Sequence, residues 1–96
     1  MSDRDQILDT LRKQYAELSR RYPIHRLALF GSWARGDAQQ GSDVDVLVDV
    51  DPSIGLRLVQ LADELELALG RRVDVVSRRA IKATMWERIE LELIDA

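Results

Sequence analysis

The apolar and polar positions of the chain alternate between helical and strand periods. Three segments have apolar residues at helical spacing: residues 3–20, residues 54–69, and the segment after Ser77, where Ile81, Met85, Ile89 and Leu93 repeat every four positions. Three short apolar runs predict strands at residues 27–30, 44–50 and 73–76. The order helix, strand, loop, strand, helix, strand, helix predicts an α/β (α+β) fold, with a small mixed sheet of three or more strands covered by helices.

The composition is that of one small globular domain. The chain has 96 residues, of which 46% are hydrophobic and 32% are charged, so we expect a single domain over residues 1–96. A net charge of -3 argues against bulk nucleic-acid binding but allows a local basic cleft for one polyphosphate. With no cysteine, no signal-peptide pattern and no long apolar run, the sequence favours a cytoplasmic protein without a membrane span.

Two aspartates, Asp43 and Asp45, flank one position of the clearest strand. Residues two apart on a strand point to the same face, so the two carboxylates are expected side by side. Their mutual repulsion is unfavourable unless a cation bridges them. A hard divalent ion such as Mg²⁺ binds carboxylates together with substrate phosphates. The pair therefore predicts a metal site on one face, while Val44, Val46 and Val48 are expected to pack on the other.

Gly31 and Ser32 directly follow an apolar run, and ten residues separate them from Asp43. Glycine lets the backbone approach a bulky ligand, and the N–H groups and hydroxyl of such a turn favour an anion. If the strands at 27–30 and 44–50 are neighbours, the turn and the aspartates share one rim, with space for a triphosphate between them. Arg35 either reaches a phosphate or pairs with Asp37.

Asp74 lies between Val73 and Val75 in a predicted strand. A lone carboxylate in a buried strand is costly without a partner, so we expect Asp74 beside Asp45. There it would complete a two-metal site or accept the proton of an attacking hydroxyl. The expected reaction is attack on an α-phosphate with pyrophosphate leaving; the alternative for Asp74 is a structural ion pair with an arginine such as Arg72.

The segments GSWARG (31–36), SDVDVLV (42–48) and LGRRVDVV (69–76) resemble the DNA-polymerase-β-type nucleotidyltransferases, and within them the minimal nucleotidyltransferases called MNT domains. The resemblance implies the nucleotidyltransferase fold and ATP as substrate. It implies that Asp43, Asp45 and Asp74 hold two Mg²⁺ ions and act in catalysis, and that Gly31 and Ser32 contact the triphosphate.

Proteins similar to this one act as antitoxins of HEPN-domain ribonuclease toxins, transferring AMP to a tyrosine of the toxin. The resemblance therefore implies a HEPN toxin as partner. Two alternatives stay open: an antitoxin that neutralises its partner by binding alone, and a transferase for a small molecule such as an antibiotic. The last predicted helix also carries apolar residues off its main stripe, at Trp86, Leu91 and Ile94, which favours a partner surface.

Overall fold

A four-stranded mixed sheet with helices on both faces forms the framework of the protein. In the computed structural model, which describes residues 2–96, the elements follow one another as α1 (Asp3–Leu18), β1 (Ile24–Phe30), α2 (Ser32–Arg35), β2 (Val44–Val50), α3 (Arg57–Leu69), β3 (Val73–Ser77), α4 (Ala83–Glu90) and β4 (Ile94–Asp95). The strand order is β3-β2-β1-β4, in which β1 is antiparallel to β2 and β4, and β2 is parallel to β3. The predicted fold class is confirmed.

The alternation along β2 divides the core between the two faces of the sheet. Val44, Val46 and Val48 are fully buried in the larger cluster, which includes Leu11 of α1 and Leu61 of α3. The remaining face of the sheet, with Ala28 and Leu47, packs against Ile81 and Ile89, before and within α4. Asp45 shares the face of Leu47, since residues two apart on a strand point the same way. The aspartate thus lies on the α4 side of the sheet.

Two predicted helix starts are wrong. The third helix begins at Arg57 rather than at residue 54, because Asp51 accepts a hydrogen bond from the Ser53 N–H and residues Pro52–Ile54 form a short 3₁₀ turn first. The last helix does not begin at Ser77, whose side chain makes no capping bond. A second 3₁₀ turn, Arg78–Ala80, precedes α4.

The chain also forms a strand that the sequence pattern did not show. The four-residue apolar repeat predicts helix up to Leu93, yet α4 ends at Glu90 and the chain then pairs with β1, Ile94 opposite Leu29. A two-residue strand lies below the length at which alternation can be recognised. The predicted strand at 44–50 is confirmed. No helix within residues 2–96 is long and apolar enough to span a membrane.

Candidate active site

Gly31 brings the end of β1 into direct contact with the carboxylate of Asp45. Phe30, the last residue of β1, is paired with Asp45 in the sheet, so Gly31 lies beside it. Gly31 is buried and has a φ of +78°. A Cβ atom at this position would overlap Asp45 Oδ2 and stand 2.9 Å from Asp45 Cγ. Only glycine allows this approach, and the glycine-serine turn and the aspartate share one rim, as predicted.

Asp74 lies opposite Asp45 on the neighbouring strand. The two residues are register partners in the parallel pair β2·β3, which places their side chains on the same face of strands about 4.8 Å apart. Asp43 is exposed and immediately precedes β2, whereas Asp45 is half-buried. The structure therefore brings two of the three predicted carboxylates to one point of the sheet, with the third two residues away along the chain.

The predicted burial of Asp74 is wrong. Its flanking valines predicted a buried strand, but β3 is the edge strand of the sheet and Asp74 is exposed. An exposed carboxylate has no desolvation cost that demands a partner. The position of Asp74 follows instead from the strand register. No ion pair between Arg72 and Asp74 is present among residues 2–96, so the structural alternative gains no support.

The electrostatic state of Asp45 reflects these neighbours. Burial raises the pKa of its carboxyl above the ordinary value, and the negative charges of Asp74 and then Asp43 raise it further. Arg35 acts in the opposite direction and only in part compensates. Excess negative charge at a half-buried carboxylate is the environment in which a bound cation is favourable.

The aspartates can hold a metal ion only if phosphate groups of the substrate supply further ligands. Within the described residues, no three acidic or histidine side chains are gathered into a ready-made metal cluster. Mg²⁺, however, is usually held by one or two carboxylates together with substrate phosphates and water. Asp45 and Asp74, paired in register on one face, satisfy that requirement. The assignment of Asp43, Asp45 and Asp74 as metal ligands stays a prediction.

Arg35 lies at the same rim, between two acidic groups. Its Nε donates to Asp37 Oδ2 at 3.1 Å, so the predicted pairing with Asp37 is present. Its Nη1 donates to Glu92 Oε2 at 3.1 Å, and Glu92 Oε1 also accepts from the Gly31 N–H at 3.0 Å. Sequence reasoning missed Glu92, because its partners are 57 and 61 residues away along the chain and no local pattern connects them.

The loop between Gly31 and Asp43 is held in place by Trp33. Trp33 packs in the core, with 7% of its surface exposed. Its Nε1 donates to the Ser42 carbonyl at 3.1 Å, and the Arg71 guanidinium lies 4.7 Å from its ring. Ser42 acts as a turn residue by accepting from the Gln39 N–H. This packing fixes the chain just before the acidic pair.

A family model identifies the class of protein to which this fold belongs. The model of the family described as "Nucleotidyltransferase domain" matches residues 11–95. The chain therefore belongs to the nucleotidyltransferase family, and the predicted resemblance and enzyme class are confirmed.

The relatives to which the chain is similar include small members of the nucleotidyltransferase family. The chain is 35% identical over 92 residues to protein adenylyltransferase MntA of Thermococcus cleftensis, covering 94% of this chain and 92% of that protein. A solved minimal nucleotidyltransferase is 37% identical, with a TM-score of 0.77 and coverage of 91% and 93% of the two chains. A chain of the complex between the tri-AMPylated HEPN toxin of Shewanella oneidensis and its MNT antitoxin shares the fold, at 21% identity, a TM-score of 0.59 and coverage of 97% and 67%.

Proposed function

We propose that this nucleotidyltransferase is the antitoxin of a HEPN toxin and inactivates it by transferring AMP from ATP to a tyrosine hydroxyl. The observation that carries the proposal is the placement of Asp74 opposite Asp45, beside the buried glycine of the turn. The name of the relative from T. cleftensis and the AMPylated toxin in the complex of similar fold support the reaction and the partner.

The residues of the rim have complementary roles in this proposal. Asp43, Asp45 and Asp74 would hold Mg²⁺, which when bound would neutralise phosphate charge and lower the barrier to attack at the α-phosphorus. Gly31, Ser32 and Arg35 receive the β- and γ-phosphates. Arg35 reaches them by leaving one of its two carboxylate partners, since exposed ion pairs contribute little stability.

Asp74 is the group that meets the acceptor. It lies on the edge strand and is exposed, so a hydroxyl on the surface of a folded protein can approach it directly. The hydroxyl oxygen forms a bond to the α-phosphorus, the bond to the bridging oxygen of pyrophosphate breaks, and Asp74 takes up the hydroxyl proton. The products are the AMP ester of the acceptor and pyrophosphate.

Intact mass spectrometry of the partner tests the proposal. A HEPN protein encoded beside this chain is mixed with a substoichiometric amount of it, ATP and Mg²⁺. We expect one or more AMP units on most partner molecules, and none with the double variant Asp43→Asn and Asp45→Asn. Asp49→Asn is the matched control, since Asp49 also lies on β2 but stands opposite Arg26 in the strand register, away from the Gly31 turn and the paired aspartates.

The remaining outcomes separate the rival functions. An unmodified partner that is inhibited only at equal stoichiometry would show neutralisation by binding alone. Transfer that persists in the double variant would remove the metal assignment. Resistance to an aminoglycoside on expression of this chain alone would favour a small-molecule acceptor.

A further inference from the structure

Glu92 connects the C-terminal segment to the glycine-serine turn. Its carboxylate accepts from the Gly31 N–H at 3.0 Å through Oε1 and from Arg35 Nη1 at 3.1 Å through Oε2. Only 21% of the Glu92 side chain is exposed. Two of the residues expected to receive the triphosphate therefore share one acidic partner that lies far away in sequence.

The segment that carries Glu92 is fixed on both sides. Before it, Ile89 of α4 packs into the smaller core cluster. After it, Ile94 pairs with Leu29 of β1, and Arg26 holds the Asp95 carboxylate at 2.7 Å. The backbone on both sides of Glu92 is thus fixed, so the side chain of Glu92 is held next to the turn.

The bond to the Gly31 N–H is the more consequential of the two contacts. The pair with Arg35 joins a guanidinium that is about half exposed, and such pairs contribute little. The backbone bond is partly buried, and a buried N–H that loses its acceptor is costly. Because Gly31 lies against Asp45, its orientation also determines where the turn stands relative to the paired aspartates.

We propose that Glu92 is a positioning residue for the nucleotide: by accepting from Gly31 it holds the turn, and with it Arg35, in the orientation that receives the triphosphate. This inference rests on the proposed function of the rim. For this role, residue 92 needs a hydrogen-bond acceptor, and a negative charge matters less. A glutamine, which keeps one carbonyl oxygen at the same place, should therefore restore what an alanine removes.

ATP binding in the presence of Mg²⁺ tests the proposal without any acceptor protein. Isothermal titration is performed on the wild type, Glu92→Ala, Glu92→Gln and the control Glu90→Ala, an exposed residue at the end of α4. We expect Glu92→Ala to weaken ATP about tenfold, and Glu92→Gln to remain within about threefold of the wild type. Glu90→Ala should bind as the wild type does. The Gly31 amide resonance should shift in Glu92→Ala and stay in place in Glu90→Ala.

Each contrary outcome has a separate meaning. A Glu92→Ala variant that binds ATP as tightly as the wild type, or more tightly, would overturn the positioning role. The tighter result would show that the carboxylate obstructs the phosphates. Equal loss in the alanine and glutamine variants would also contradict it, because the charge and not the acceptor would then matter. A wild type that binds no ATP would instead refute the proposed function. Thermal unfolding of each variant identifies any loss of affinity that comes from misfolding.

Discussion

Replacing Gly31 by alanine should have two separate effects. It should lower the stability of the fold, and it should displace Asp45 and so slow AMP transfer. The backbone of Gly31, with φ +78° and ψ -156°, lies in a region that only glycine occupies readily, where another residue costs roughly 3 kcal/mol. At about 4 to 8 °C per kcal/mol for a domain of this size, the melting temperature should fall by about 12 to 24 °C.

The same substitution displaces Asp45. The new Cβ would stand 2.9 Å from Asp45 Cγ, whereas carbon atoms prefer roughly 3.5 to 4.0 Å, so Cγ must move by about 0.6 to 1.1 Å, and Oδ2, which the Cβ would overlap, must move further. A misplacement of about 1 Å can reduce a reaction rate roughly 100-fold. We therefore expect AMP transfer by Gly31→Ala to fall by about two orders of magnitude at a temperature where the variant is folded.

Gly36→Ala is the matched control. Gly36 also has a positive φ, +87°, but a Cβ there meets nothing within 4 Å. It should lower stability by about 1 to 2 kcal/mol and leave transfer close to the wild-type rate. Circular dichroism gives the folded fraction, and mass spectrometry of the partner gives the rate. Equal losses of transfer in the two variants, or a Gly31→Ala variant as active as the wild type, would refute the role assigned to this close approach.

Three further substitutions test separate parts of the structure. The pKa of Asp45 is raised in the folded protein, so the ionised carboxylate destabilises the fold at any pH above that pKa. The destabilisation is relieved as the pH falls through the raised pKa towards 3.8. Asp45→Asn should hence raise the melting temperature in EDTA at pH 7 to 8, by an amount that shrinks in acid; a variant less stable than wild type at neutral pH would contradict this. Trp33→Phe removes the donor to the Ser42 carbonyl and should cost about 1 kcal/mol in urea unfolding, while no change would show that water replaces the bond. Leu91→Ser, at a side chain 90% exposed, should change the free energy of unfolding by less than about 0.5 kcal/mol, and a larger loss would show that Leu91 packs.

The parts of the fold that local pattern determines were predictable from the sequence. The strand Val44–Val50 has the predicted bounds, because β-branched residues alternate with polar ones throughout it. The close approach of the glycine-serine turn to Asp45 followed once the two strands were taken as neighbours. The first inference needed only spacing and the geometry of a strand, and the second also needed the assumption that these two strands are neighbours.

Other features depend on which strands become neighbours. The sequence predicts a buried Asp74, since Val73 and Val75 look the same in a central strand and in an edge strand, but no strand within residues 2–96 pairs with the far side of β3. The turn from α4 into β4 is likewise determined by pairing with β1, and the apolar repeat continues through it unchanged. Glu92 meets Gly31 only after this turn has formed, so its contact could not be found from local spacing.

The exposure of Asp74 at the sheet edge has a consequence for selectivity. If Asp74 takes up the proton of the acceptor, as proposed, its exposure leaves it within reach of many hydroxyls, including those of water. Selectivity between hydroxyls must then come from a contact surface that holds one acceptor hydroxyl beside Asp74 at a high local concentration. On this view the enzyme recognises its acceptor by docking, and a slow loss of ATP to hydrolysis is the expected penalty whenever the acceptor is absent.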